Sequence, residues 1–508
     1  MRHLSDIAFS LLYYLATLLR QPIRCHKYLT NVYFSEKSFY QSKSTTSPRK
    51  TAFAASLCCV MLNTTPSAIA TQDNDIVDLL PAILSGIERL PRPINFEVAQ
   101  PSFESKSDYV IDLDRWNIPS NRSQAVRTTN NLQAAINWAK DQGFTRITIP
   151  NGHFLIGKHG NDIYQRGIEL GGDTELVLSS KTIIEMAPNN KWNYCLIAVN
   201  RKSNVVIRGG TLRGDRYEHI FTPRERDGAT AHDEGHGICL QGGTTKVLVE
   251  NMLIENLTGD GLLLVSDIED VTIRNNEIRR NRRQGVSVVG GTRIAITDNE
   301  IHHISGTAPQ FGVDIEGAGR IDKDILIRKN SFHHNRGGDI VNTSGKNVFI
   351  IGNTLDQGSS GFENRYIDGP LVTWERTDNV IAHNTITMYD RSVNGLLGYI
   401  QYSGNRDNNP QITYVHDNVC NGCGMYMYNA GDADIRRNQF KGYFLALANV
   451  KNATVIDNEV TYGPPGSPRY CWNYRIRETT GVAHGNTLEG EPFNLPLSSL
   501  PWTSKCLR

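Results

Sequence analysis

The chain has 508 residues, with 53 Lys and Arg against 52 Asp and Glu and a formal net charge of +1. That balance lacks the basic excess of a nucleic-acid-binding protein. With 39% hydrophobic and 21% charged residues it can bury a core and is not a disordered chain. No run of 18 apolar residues occurs, so no transmembrane helix is expected. A prior of roughly 150 residues per domain would give about three domains, but elongated β folds escape that rule.

Residues 48–70 read PRKTAFAASLCCVMLNTTPSAIA. Arg49 and Lys50 precede a short apolar stretch, and Ala68-Ile69-Ala70 has the small-x-small form of a signal-peptidase site. Residues 1–70 are therefore read as an N-terminal extension carrying a secretion signal, and 71–125 as an extended lead-in. Of nine cysteines, cleavage after Ala70 would leave six: Cys195, Cys239, Cys420, Cys423, Cys471 and Cys506. An even number fits disulfides in an oxidising compartment. Cys420-x-x-Cys423 alone resembles a zinc half-site or a redox pair, but no second pair accompanies it and no βαβ pattern surrounds it. A structural role fits it better.

Residues 130–143, NNLQAAINWAKDQG, place Leu132, Ala135, Ile136 and Ala139 on one helical face and end on Gly143, a natural C′ stop. A strand, a PNG turn and a second strand follow. Beyond them the chain repeats. Short alternating strands end in Asn276, Asn299, Asn330, Asn353, Asn384, Asn418, Asn438 and Asn458, at steps of 23, 31, 23, 31, 34, 20 and 20. A second family, GICLQ (237–241), GLLLV (261–265), GVSVV (285–289) and GVDIE (312–316), interleaves with it at steps of 24, 24 and 27. Strand alternation turns Val271, Ile273 and Ile278 inward. One such turn cannot bury its own apolar face, so turns must stack. Asn suits the turn ladder because it tolerates left-handed backbone and its amide can bond above and below. The expected architecture is all-β: a single-stranded right-handed parallel β-helix over 126–490, roughly fourteen coils of about 24 residues, capped by the helix, with a C-terminal tail over 491–508.

The capping helix, the strand–PNG–strand opening and the GDG, N-x-I and GVDIE repeats resemble the pectin-lyase-like right-handed β-helix superfamily. That superfamily holds polysaccharide lyases, polygalacturonase-like hydrolases, alginate C5-epimerases and phage tailspikes. The resemblance covers about 126–490 and fixes the fold more than the reaction, because unrelated chemistries share the scaffold. Gly235-His236-Gly237 matches the polygalacturonase GHG in letters only and follows no DD pair, so that site is not carried over. The epimerase DPH motif is absent. Ca²⁺ is frequent in lyases of the superfamily, but no dense acidic cluster supports it here, and no cofactor is expected.

A packed interior leaves the outer strand faces and neighbouring loops for chemistry. With Val313 and Ile315 inward, Asp314 and Glu316 should both point out on one face, at a Cα separation of about 6.6–6.8 Å, as the two carboxyls of a glycosidase require. Repulsion would raise one pKa. A solvated outer face is the plain alternative. Arg282 and Arg283 should lie close to this pair and hold a substrate carboxylate or sulfate, or simply pair with the carboxylates. His236, Asp260 and Gln284, each 24 residues apart, should form a column in which His236 above Asp260 is an oriented base or a turn-bonding residue. His302-His303 and His333-His334 occupy matching turns; adjacent residues on extended chain point opposite ways, so no metal site is expected. Two polar insertions, 213–236 and 357–379, would wall a groove with Arg216, Tyr217, His219 or Asp233 and with Arg365, Tyr366, Asp368, Trp374 or Glu375.

These readings give a secreted enzyme that cleaves an acidic polysaccharide by glycoside hydrolysis with paired carboxylates. The alternatives are β-elimination or C5 epimerisation, with Arg282 or Arg283 neutralising the uronate and His236 or Tyr217 moving the proton, and a non-catalytic glycan-binding or adhesin-like β-helix. The partner is a polysaccharide, not nucleic acid or a membrane.

Overall fold

The computed structural model describes residues 90–508 apart from 104–106, 158–163, 223–231, 318, 321, 359–368, 375–377, 389–398, 404–411, 429, 443–444, 462–473, 494–496, 498–502 and 505–508. The signal segment 48–70 and Cys471 and Cys506 lie outside the described residues. Residues Glu88–Arg508 form one compact unit.

The unit is a parallel β-helix. A representative turn has three strands, Glu234–Gln241, Thr245–Glu250 and Leu253–Glu255. Each pairs in parallel with its equivalent one turn on: Ile238 with Leu262, Val247 with Val271, Ile254 with Ile278. The first and second strand positions merge into one 25-stranded sheet, because Leu262–Arg274 and Val286–Thr297 run through both. The third position forms a separate 14-stranded sheet, whose last strand, Glu491–Pro492, turns back antiparallel. Among the described residues thirteen parallel rungs remain, near the expected fourteen; insertions lengthen several turns beyond the mean period. Val271, Ile273, Ile278, Val313 and Ile315 are all fully buried in one continuous core, as the alternation predicts. Each such side chain contributes about 1.5–3 kcal/mol by leaving water.

The asparagines line one interior corner. From Asn276 through Asn299, Asn330, Asn353, Asn384, Asn418, Asn438 and Asn458 to Asn486, each side-chain amide donates to the carbonyl oxygen of the next Asn at 2.9–3.0 Å. The same oxygen accepts the backbone N–H of the preceding Asn, for example Asn330 N to Asn353 Oδ1 at 3.0 Å. The second amide hydrogen goes to a backbone carbonyl, as from Asn353 to Ile327 O at 2.9 Å. The left-handed residue is not the ladder Asn but the one before it: Asn275, Asp298, Lys329, Gly352, His383, Asp417, Arg437, Asp457 and Gly485 all have φ between 54° and 68°. That residue turns the chain so that the Asn side chain faces inward. Asn353→Ala would leave several buried donors and acceptors unpaired, and we expect a loss on the order of 3 kcal/mol, read as a lower urea midpoint.

The helix spans Ala125–Asp141 and buries Thr128, Thr129, Leu132, Ala135, Ile136 and Ala139. It starts earlier than the apolar pattern shows, because two threonines sit on its buried face. Thr129 Oγ1 accepts from Gly157 N at 2.9 Å and donates to Ala125 O at 2.8 Å. Gly143 follows at φ 83°. Residues 90–103 of the lead-in run across the outside of the second-position strands. Arg92 bonds Asn347 and Asp378, Ala99 N bonds Asp270, Gln100 bonds Thr272 and Ser102 bonds Asn204.

Two disulfides occur among the described residues, Cys195–Cys239 and Cys420–Cys423. Cys420 and Cys423 are buried in the core, in keeping with a structural role. Cys195–Cys239 joins adjacent turns on the outer face with Cα atoms 6.0 Å apart. It closes a 44-residue separation, and we expect Cys239→Ser to cost roughly 2–4 kcal/mol, seen as a lower Tm under non-reducing conditions and a smaller further drop on adding reductant than the wild type shows.

Candidate functional site

At the start of the first-position strands the chain turns a sharp corner. Two consecutive residues point inward there, and the first is glycine: Gly237, Gly261, Gly285 and Gly312. A Cβ on Gly261 would lie 2.6 Å from Gly285 O and 2.7 Å from Ile278 Cγ2, so no side chain fits. This double inward step spaces the outward residues by three. One outward column is His236, Asp260, Gln284 and Phe311, tied by backbone bonds such as Gly237 N to Asp260 O at 3.2 Å and Gly261 N to Gln284 O at 3.0 Å. The other is Cys239, Leu263, Ser287, Asp314 and Val341, in continuous register.

The two columns lean together across turns. Gln284 Nε2 donates to Asp314 Oδ2 at 2.5 Å, while its Oε1 accepts from Phe311 N at 2.7 Å. Ser287 Oγ donates to Asp260 Oδ2 at 3.0 Å. Arg283 bonds both Asp260 oxygens, at 3.1 and 3.3 Å, and its other terminal nitrogen stands 3.7 Å from Glu316. Asp260, Arg283, Ser287 and Glu316 thus form one bonded group, and the Gln284–Asp314 pair lies within its electrostatic reach. Ser287 was missed in the sequence; its place in the Asp314 column was the available signal.

Asp314 and Glu316 do not share one exposed surface. Asp314 is 2% exposed, whereas the Glu316 side chain is 49% exposed. The strand Phe311–Ile315 ends before Glu316, while Asp314 lies in the crease between the columns. Burial, and then the Glu316 charge, pushes Asp314 up to about 8, although Arg283 pulls the other way. Its Oδ1 has no hydrogen-bond partner. Burial disfavours the Arg283 charge, but Asp260, Asp314 and Glu316 together hold its pKa above the ordinary guanidinium value. At neutral pH these influences favour the protonated form of Asp314, and one of its oxygens has no hydrogen-bond partner.

His236 does lie over Asp260, but not as a poised base. Its Nδ1 accepts the Asp260 backbone N–H at 3.1 Å. Burial, against the pull of Asp260, lowers its pKa. The neutral ring therefore carries its proton on Nε2 and offers a donor. Arg282 also departs from expectation: consecutive corner residues diverge, and its guanidinium lies 4.6 Å from the Phe221 ring centroid and 3.4 Å from His232 O, away from the carboxyls. Arg216 Nη1 donates to Arg280 O at 2.6 Å and lies beside the 69%-exposed Tyr217, 5.2 Å from its ring centroid. Trp374 ends the strand Leu371–Trp374; its side chain, and Arg365, Tyr366, Asp368 and Glu375, lie outside the described residues.

The insertion after Arg213 is pinned by a buried chain absent from the sequence reading. Thr222 Oγ1 lies 2.7 Å from His232 Nε2, His232 Nδ1 2.8 Å from His219 Nε2, and His219 Nδ1 2.7 Å from Asp215 Oδ2. Tyr194 Oη donates to Asp215 Oδ1 at 2.9 Å. The Thr222 backbone N–H also reaches His232 Nε2, which makes that nitrogen an acceptor and sets every proton in the chain toward Asp215. This wall stands beside Arg282.

The right handed beta helix region family matches residues 150–320 and 269–460, more than half of the chain. The chain belongs to that family. The chain is similar to the uncharacterized protein YclG of Bacillus subtilis (strain 168), 26% identical over 66% of this chain and 63% of its own length. The SPbeta prophage-derived uncharacterized protein YorA of Bacillus subtilis (strain 168) is 30% identical over 49% of this chain and 46% of its own. The chain thus spans less than two thirds of either relative. Among solved structures, PfbA, a surface adhesin of Streptococcus pneumoniae, aligns over 75% of this chain and 92% of its own at 12% identity and a TM-score of 0.52; that likeness concerns the fold. No helix among the described residues is long and apolar enough to cross a membrane.

The raised Asp314 pKa has a stability consequence. The folded value exceeds the unfolded one, so its contribution is fully present below about pH 4 and is lost as pH rises toward about 8. Asp314→Asn, which keeps an acceptor for Gln284, should come closest to the wild type in Tm at pH 4 and exceed it at pH 9. Equal Tm values at both pH values would show that Asp314 titrates normally.

Proposed function

We propose that the protein is a secreted carbohydrate-active enzyme that cleaves an acidic polysaccharide by glycoside hydrolysis. The observation that carries this reading is Asp314, a buried carboxyl pushed up to about 8 with one oxygen unpartnered, next to the exposed carboxylate of Glu316. Asp314 would give its proton to the glycosidic oxygen. Glu316 would attack the anomeric carbon, or take a proton from the attacking water. A substrate carboxylate would draw one Arg283 terminal nitrogen from Glu316, its longer contact, while Asp260, itself held by Ser287, keeps the other. Substrate entry would also require Gln284 and Ser287 to part over Asp314, which they cover. His236 would donate from Nε2 to the sugar, and Gln284 orients Asp314. Arg216, Tyr217 and Arg282 flank the group on the insertion side. The two disulfides and the signal-like 48–70 segment support secretion.

A second reading is β-elimination or C5 epimerisation, favoured by Tyr217: it is exposed, with a guanidinium beside its ring. It could take the C5 proton while Arg283 or Arg282 neutralises the uronate. A non-catalytic glycan binder on the same surface is the third reading.

A panel of uronate-containing and sulfated glycans, with mass analysis of products, separates them. Hydrolysis gives a new reducing end without unsaturation; elimination gives an ultraviolet-absorbing unsaturated sugar; epimerisation changes neither chain length nor unsaturation; a binder gives retention without turnover. Asp314→Asn and Glu316→Gln should each lower hydrolysis by about 10²–10⁴-fold, and the wild-type rate should fall as pH rises through about 8, where Asp314 loses its proton. Full activity in both variants overturns the hydrolytic assignment.

A further inference from the structure

Two turns of the third-position sheet end in histidine pairs that the proposed polysaccharide chemistry does not use. His302 and His333 close the strands Glu300–His302 and Ser331–His333 and are register neighbours. His303 and His334 follow them in left-handed backbone, at φ 57° and 58°. That conformation overturns the expectation that adjacent histidines diverge, because it swings the second ring back onto the first. The Nδ1 atoms of His302 and His303 are 2.6 Å apart, and those of His333 and His334 are 2.9 Å apart. The pairs also stack between turns, with ring centroids 4.4 Å apart for His302 and His333 and 4.6 Å for His303 and His334. One ligand nitrogen from each of His302, His303 and His333 lies within 4.8 Å of the other two.

A second feature points to an ion. His302 Nε2 stands 3.3 Å from Glu277 Oε1, and His333 Nε2 stands 3.0 Å from Glu300 Oε1. Glu277 and Glu300 are themselves register neighbours, so the carboxylate–imidazole pair repeats on successive turns. A carboxylate at Nε2 keeps the proton there and leaves the Nδ1 lone pair free, which is the usual outer partner of a metal-bound histidine. Without an ion, His303 Nδ1–H must donate to His302. Moving that proton to its own Nε2 supplies a third lone pair. Zn–N bonds of about 2.0–2.1 Å place tetrahedral ligands roughly 3.3 Å apart, between the 2.6 Å of the His302–His303 pair and the 4.8 Å that bounds the cluster. His303 and His333 are partly exposed, so an ion can enter from solvent.

We infer that His302, His303 and His333, with His334 or water as fourth donor, bind one divalent first-row transition ion of the zinc type. Imidazole donors select such ions over Ca²⁺ and Mg²⁺. The ion would clamp two successive turns from outside. The inference is independent of the polysaccharide reading, since its readout is binding.

The test uses the full chain without a polyhistidine tag, stripped with EDTA and titrated with ZnCl₂ by calorimetry, with Co²⁺ absorption as a second probe. One equivalent should bind. His303→Gln with His333→Gln should weaken binding by at least 100-fold. Glu277→Gln with Glu300→Gln should weaken it by about 10–100-fold with the ligands intact. His153→Gln, remote in the fold, should leave it unchanged. Should the double histidine variant fail to fold, zinc protection of His302, His303 and His333 from diethylpyrocarbonate in the wild type gives the same answer by mass spectrometry. Absence of stoichiometric binding, unchanged affinity in the double histidine variant, or no protection overturns the site.

Discussion

A buried amide that must be bonded on both sides governs this molecule. Each ladder Asn presents two donors and an acceptor beside a core that is mostly apolar. Those groups are satisfied only when the next turn places its own Asn at the same height. Slipping one strand would strand several polar atoms in the core and turn its apolar residues outward. Register is therefore fixed from inside. The outer surface is left free to vary, and the insertions and charged groups are found there.

The candidate site follows from a local exception to strand alternation. Where glycine permits two inward residues in succession, outward side chains come three apart rather than two. That spacing brings Gln284 to Asp314 and Ser287 to Asp260 across turns. The crease so formed excludes water from Asp314 while the next outward carboxylate stays in it. Burial and the neighbouring Glu316 charge push one carboxyl's pKa up while the other stays solvated, the kind of asymmetry that general acid–base chemistry uses.

What the sequence revealed followed the strength of its periods. The Asn steps and the alternation of Val271, Ile273 and Ile278 announce stacked turns, because repeated patterns must satisfy one geometry many times over. The left-handed position was assigned to the wrong residue, since several residue types occupy it: Asn275, Lys329 and Arg437 among them. The burial of Asp314 could not be read from its own strand, as it depends on residues 27 and 30 positions upstream that close over it. Arg282 and Arg283 were read as one cationic unit, and the corner between them sends one to each side. The four histidines escaped for the same reason as the Asn turn: a single backbone angle decides whether neighbouring rings part or meet.

The extended stretch from Arg92 to Ser102 is bonded to Asn347 and Asp378 at one end and to Asn204 at the other. Its docking sites belong to chain that leaves the ribosome far later. This stretch is a tie fastened after the winding is done: it cannot seat until residues near 380 have taken their places. A solenoid that otherwise grows by local addition thereby acquires long-range cooperativity. Loss of a distal turn would be felt at the proximal end through a cord lying outside the sheets.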